Sequence, residues 1–275
     1  MHDIHVFAHR AMATQFQVRI AGEEATYAAQ AAQTAFALTD QLESLLSRFR
    51  PSSDIAQIAA LAPGESLRVA EPTFECLALA QRLGAATRGA FSVTAAALQS
   101  QPAPPRWSLR DFSVCCDAGK VELDLGAIGK GFALDRMAEV LREWSCPAFL
   151  LVAGGSSVLA GEPPGDQPGW SCGLGEDESP CRYWLKQASL SGSGLAVKGR
   201  HILDPRTGQP AERLQRTWAL CDHAAESDAL STACMVLAEA EIAEILAAQK
   251  SWLVFLEEKG NARPMGERAL PPTDP

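Results

Sequence analysis

Alternation and helical spacing divide the chain into elements before any single residue suggests chemistry. Residues 14–20 (Thr-Gln-Phe-Gln-Val-Arg-Ile) alternate polar and apolar, a period of two that predicts a half-buried strand with Phe16, Val18 and Ile20 inward. From about residue 23 to 46, Ala25, Ala28, Ala32, Ala35, Leu38, Leu42 and Leu45 recur at steps of three and four. That spacing predicts a long alanine-rich helix, which Arg50-Pro-Ser-Ser-Asp54 breaks. A second helix is expected over about 72–87, with Pro72 early where it is tolerated and Gly89 just beyond the end. Residues 121–124 read as a short strand running into a glycine loop, and 132–144 as an amphipathic helix. The continuous apolar run 147–153 fits a strand buried on both faces. Prolines mark 99–111 as a loop and 161–169 as a surface turn. Short strands are expected at 170–174, 182–190, 217–221 and 252–256, with one helix from about Asp228 to Gln249 between the last two. Helices and strands mix without regular alternation, so the expected class is α+β. One compact domain over 1–263 is expected, followed by a loose tail over 264–275.

Composition narrows the function classes. The 275 residues are 47% hydrophobic, enough for a packed core and too apolar for disorder. A net charge of −9 argues against nucleic acid as the main partner, because phosphate backbones need clustered Lys and Arg. The eight cysteines include no C-x-x-C pair, so they read as small apolar residues in a reducing compartment rather than as a zinc or redox motif. No apolar run approaches the length of a membrane helix, and the first residues lack a basic-then-apolar leader pattern, which gives an expectation of a cytoplasmic protein. His2, His5 and His9 have the spacing of a helical face, read as incidental on a chain end.

Two stretches carry candidate chemistry. Residues 201–208 read His-Ile-Leu-Asp-Pro-Arg-Thr-Gly, and residues 227–232 read Ser-Asp-Ala-Leu-Ser-Thr at the expected start of the helix. A helix N-terminus favours anions, and Asp and Thr oxygens are hard ligands for Mg²⁺. Asp228 and Thr232 stand four apart and Ser231 three apart from Asp228, so all three can address one ion. His201 is the natural general base near neutral pH, and Lys130, with Arg206, would steady phosphate oxygens. Each piece also has a structural reading: Ser227 or Asp228 as an N-cap, Asp204-Pro205 as a turn, His201 as a core histidine. The loop Asp124-Leu-Gly-Ala-Ile-Gly-Lys-Gly131 brings Gly126, Gly129 and Gly131 to a helix start, suited either to close ligand approach or to a tight turn. It is neither a Walker A loop nor a dinucleotide fingerprint.

In chain order the motifs are Met12-Ala-Thr14, Leu46-Ser-Arg-Phe-Arg-Pro-Ser-Ser-Asp-Ile55, Gly89-Ala-Phe-Ser-Val-Thr94, residues 124–135, Gly154-Gly155, Ser191-Gly192, residues 201–208 and Asp228–Thr232. Taken together, nearly the whole chain resembles the ApbE-type FAD:protein FMN transferases. The resemblance implies a single α+β domain with FAD in a cleft. It also implies a Mg²⁺-dependent enzyme that splits the FAD pyrophosphate, attaches FMN to a Thr or Ser hydroxyl of an acceptor protein, and releases AMP. Carried over by position, Met12, Phe49, Ala90, Phe91, Ser92, Asp124, Lys130, Ser191 and Leu203 match the flavin-nucleotide contacts. Ala127, through its carbonyl, matches the metal position with Asp228, Ser231 and Thr232, while His201 and Asp228 are the catalytic pair. This chain departs from the family pattern at residues 58–61, which hold no asparagine, at Ser92 for aspartate, at Leu190 for threonine and at Ser231 for an acidic ligand. Two other outcomes fit the same motifs: an FAD pyrophosphatase giving FMN and AMP, and an inactive flavin-binding protein of the same fold.

Overall fold

A computed structural model describes residues 3–99, 101, 103–174, 182–195, 202–258 and 260–274. The chain opens with β1 (Ile4–Ala11), β2 (Thr14–Ala21), α1 (Ala25–Leu46) and α2 (Asp54–Ile58). Next come β3 (Ser66–Arg68), α3 (Glu71–Ala86), a 3₁₀ turn (Ala95–Gln99), β4 (Arg106–Arg110), β5 (Ser113–Ala118) and α4 (Gly129–Glu143). The middle holds β6 (Phe149–Ala153), β7 (Ser157–Ala160), β8 (Trp170–Gly173), β9 (Arg182–Leu185) and β10 (Ala188–Gly194). The chain closes with β11 (Arg216–Cys221), α5 (Ala224–Cys234), α6 (Glu239–Ala248), β12 (Leu253–Glu258) and β13 (Asn261–Met265).

Eight strands form one antiparallel sheet in the order β1-β2-β6-β7-β10-β11-β12-β13, and β3-β5-β4 and β8-β9 form two smaller ones. Alternation assigns the large sheet two different faces. Phe16, Val18, Ile20, Phe149, Leu151, Ala219, Cys221, Val254 and Leu256 pack into the main core with the helices. Leu150, Leu190, Trp218, Leu220, Leu253 and Phe255 fill a second core with Trp170, Cys172 and Leu185 of the β8-β9 hairpin. Helices therefore cover one face and a hairpin the other, the α+β arrangement expected from the mixed element pattern. The seven described cysteines are free, and burial pushes the Cys76, Cys172 and Cys234 thiols up to about 12.

Several sequence expectations are corrected. The single helix expected over 228–249 is two, α5 and α6, with the buried Met235 and Leu237 turning the chain between them. No Gly or Pro signals this break. The Arg213 guanidinium, far upstream, donates to the Leu237 carbonyl at 2.6 Å and so satisfies the turn. Because α5 begins at Ala224, Asp228 lies one turn inside the helix and not at its start. Residues 121–124 keep their alternation, with Val121 and Leu123 buried, but join no sheet; the Asp124 amide donates only to the Val93 carbonyl at 2.7 Å. The second half of the proline loop at 99–111 is β4, whose Trp107 and Leu109 pack on the core. The strand expected over 182–190 divides at Gln187, which has φ of 44°, into β9 and β10. His5 and His9, read as incidental, lie on β1, where His5 bonds the Glu23 carbonyl at 3.0 Å and His9 bonds Asp40 at 2.7 Å; His2 lies outside the described residues. In the stretch expected as a loose tail, the Trp184 amide donates to the Pro272 carbonyl at 2.8 Å and the Asp274 amide to the Arg182 carbonyl at 2.9 Å.

Candidate active site

The first turn of α4 and the first two turns of α5 meet in a seam that leaves no room for a side chain at Gly131. A methyl group on Gly131 would stand 2.1 Å from the Ala224 carbonyl oxygen and 2.7 Å from the Ala225 Cα, so only glycine fits there. The third glycine of the 124–131 loop therefore serves helix packing. One turn further along α4, the Asp135 carboxylate accepts hydrogen bonds from the Ala224 and Ala225 amides at 2.7 and 2.9 Å. These are two of the donors that a helix start leaves unpaired, and the N-cap His223 offers them nothing. Burial raises the Asp135 carboxyl from 3.8 to about 6, against the pull of those two amides and of His223.

Within this seam sits Asp228, only 2% exposed. The Lys130 ammonium lies 3.1 Å from each of its carboxylate oxygens, the Gly131 amide donates at 3.2 Å, and the Ser157 hydroxyl of β7 donates at 3.2 Å. Lys130 also reaches the Gly126 carbonyl at 3.4 Å, which sets the 126–127 turn beside the carboxylate. A charge this buried requires such a complete set of partners.

One turn on, the Ser231 and Thr232 hydroxyls donate to the Asp228 backbone carbonyl at 3.0 and 3.2 Å. Their oxygens also lie 2.9 and 3.0 Å from Ser193 Oγ on β10. Ser193 thus joins the Ser231 and Thr232 hydroxyls in one hydrogen-bonded cluster over the Asp228 carbonyl. The Asp228 carboxylate, the Ser231 and Thr232 hydroxyls one turn on and the Gly126 carbonyl that Lys130 reaches are all oxygen donors, the ligand chemistry of a hard cation such as Mg²⁺. No cluster of three or more His, Cys, Asp or Glu side chains suited to a metal exists among the described residues, so a cation here would rely on one carboxylate plus neutral oxygens.

The expected flavin contacts fall into two groups. Asp124 accepts from the Gly126 amide at 2.9 Å and pairs with Arg48 at 3.2 Å, and Arg48 in turn lies 4.7 Å over the Phe49 ring. Phe49 is 79% exposed, which leaves the ring face away from Arg48 open to a planar partner. The bond from Asp124 to Val93 brings in residues 90–94, where Ala90 and Phe91 are buried and Ser92 bonds Thr94 at 2.9 Å. Leu203 bridges to Pro210 at the base of a turn whose Arg206 Cγ would lie 3.7 Å from a side chain on Gly89, the neighbour of residues 90–94. Met12 sits in a left-handed turn with φ of 50° between β1 and β2. Ser191 is different: it is fully buried and bonds Ser227 at 2.8 Å, so its side chain holds β10 to α5. Arg206 is also committed elsewhere, bonded to Asp204 at 2.8 Å and to Glu241 at 2.6 Å, which fixes the turn rather than leaving a cation for phosphate. His201 lies outside the described residues.

Ser157, Ser193 and Arg48 join the site, and Asp135 holds α5 beside it, without having been singled out from the sequence. One signal was available: Ser189, Ser191 and Ser193 alternate, and period two puts all three on the face of β10 that meets α5. Nothing local marked Ser157, whose partner is distant in the chain.

Residues 12–255 match the sequence model of the ApbE family. A FAD:protein FMN transferase of Klebsiella pneumoniae is 22% identical over 91% of this chain and 83% of its own length. One from Treponema pallidum is 25% identical over 75% of this chain and 71% of its own. Among solved structures, the apo form of the Pseudomonas stutzeri flavinyl transferase ApbE superposes with a TM-score of 0.82 at 21% identity, covering 96% of this chain and 94% of that one.

Proposed function

The chain belongs to the ApbE family, and from that premise we propose that it is a FAD:protein FMN transferase acting on a Thr or Ser hydroxyl of an acceptor protein. The observation that carries the proposal is the buried Asp228 carboxylate, paired with Lys130 and backed by the hydroxyls of Ser231 and Thr232, inside a chain matched along most of its length. In the proposed reaction the acceptor oxygen attacks the phosphorus of the FMN half of FAD. A P–O bond forms, the bond from that phosphorus to the bridging oxygen breaks, and AMP leaves. His201 is assigned to take the hydroxyl proton, a role that suits an imidazole near neutral pH.

Asp228, Thr232, Ser231 and the Ala127 carbonyl would hold Mg²⁺, which when bound supplies positive charge to the pyrophosphate. Lys130 adds a second positive group and orients phosphate oxygens. Phe49, with its open ring, is assigned to the flavin, and Met12, Ala90, Phe91, Ser92, Asp124 and Leu203 to the walls of the nucleotide cleft. Ser191 acts through α5. The test is incubation with FAD, Mg²⁺ and a threonine-bearing acceptor, read by intact mass. The acceptor should gain the mass of an FMN phosphoester and AMP should appear in equal amount. Asp228→Ala should lower the rate by on the order of 10³-fold, as removal of a principal electrostatic group does. Undiminished transfer in that variant would refute the metal assignment, and FMN plus AMP formed without acceptor modification would favour a pyrophosphatase.

A further inference from the structure

We propose that Asp135 is a positioning residue for metal binding, holding α5 at the height along α4 where Asp228 meets Lys130 and the Gly131 amide. The inference rests on the reading of Asp228 as a metal ligand and adds a residue that makes no contact with that site.

The geometry is a two-point clamp. Lys130, Gly131 and Asp135 lie on α4; Ala224, Ala225 and Asp228 lie on α5. At one point the Asp135 carboxylate takes both α5 amides, and at the other the Gly131 amide and Lys130 ammonium take the Asp228 carboxylate. Asp135 and Gly131 are four apart and Ala224 and Asp228 are four apart, so the two points repeat after one helical turn on each helix. Between them the Gly131 to Ala224 contact sets backbone against backbone with no side chain in between. A helix gripped at a single point can still rotate about it; a helix gripped at two, one turn apart, cannot. Asp135 also takes its bonds from the end of α5, where no intrahelical acceptor exists, so its loss is not compensated within the helix.

A second helix shows the same device. Asp54 of α2 accepts the Ala70 amide at 2.9 Å and the Thr73 hydroxyl at 2.6 Å, holding the start of α3. There it fixes packing only, because α3 carries none of the metal-site oxygens.

The test uses the full chain with Mn²⁺ as the probe, its free concentration read by electron paramagnetic resonance, alongside FAD affinity in chelator read by flavin fluorescence. Asp135→Asn keeps the shape, but only one of its two side-chain end groups is an acceptor. It should weaken Mn²⁺ binding by roughly 10-fold, the scale seen when support around a metal ligand is lost, while FAD affinity in chelator stays at the wild-type value. Half-saturating Mg²⁺ for transfer should rise by a similar factor, and excess Mg²⁺ should restore kcat, which a general loss of folding would not allow. Asp135→Ser, smaller and uncharged, is the second variant and should weaken Mn²⁺ at least as much. Unchanged Mn²⁺ affinity in either folded variant overturns the positioning role and leaves Asp228 as ligand. Mn²⁺ binding that persists in Asp228→Ala overturns the metal reading itself, and the positioning role falls with it.

Discussion

At the residue scale, Asp135 shows how a charged side chain can be held where burial opposes its charge. Its carboxyl is raised to about 6 from 3.8, so the folded chain binds that proton more tightly than the unfolded chain does. Its contribution to stability is therefore fully present below 3.8 and is lost as pH rises through about 6, with His223 and Glu226 as the charged neighbours that modulate it. Asp135→Asn stays neutral throughout. The thermal midpoint of the wild type should fall relative to that of the variant between pH 4 and 7, and a constant difference across that range would contradict the buried-acid account. Single residues were also where the sequence was most and least informative. Helical spacing puts Asp228, Ser231 and Thr232 on one face, in keeping with the positions that the family resemblance assigned them. Ser157 and Asp135 could not be placed by spacing, since their partners lie 71 and about 90 positions away and only the folded chain brings them together.

At the scale of elements, Gly131 decides how α4 and α5 pack. Replacing glycine by alanine inside a helix ordinarily stabilises by up to about 1 kcal/mol. Here the new methyl would meet the Ala224 carbonyl, backbone that cannot rotate away. Gly131→Ala should instead destabilise by about 2 kcal/mol, the usual scale of overpacking, measured by urea unfolding. Gly155→Ala is the matched control, because a methyl there meets nothing within 4 Å and should change stability little. Elements with long periodic patterns, α1, α3 and α4, were legible because their apolar stripes face the main core. The break between α5 and α6 was not, because the group that makes it favourable, Arg213, lies outside both helices. β4 was hidden by neighbouring prolines, which end structure locally without preventing a strand immediately after them.

At the scale of the whole molecule, the two-faced sheet explains why site residues from distant segments converge. Helices α4 and α5 both lie on the main-core face, while β7 and β10 present Ser157 and Ser193 upward from the sheet to the same seam. The α+β class was legible from the mixture of periods; the strand order was not, since β6, β7 and β10 become neighbours around the β8-β9 hairpin without any pattern in the sequence. The Lys130 to Asp228 pair has a thermodynamic consequence for the assembled protein. The Asp228 carboxylate has Lys130 as an internal counter-ion, so on the proposed metal reading a bound cation would compete with it, and a phosphate that drew Lys130 away would remove that competitor. Nucleotide and metal should then be reciprocal effectors: FAD should tighten Mg²⁺ by the same factor by which Mg²⁺ tightens FAD, roughly 5- to 150-fold if the coupling is of ordinary size. Paired titrations by calorimetry check this equality. Lys130→Met should bind Mg²⁺ more tightly without nucleotide and lose most of the coupling, because the internal cation that links the two ligands would be gone.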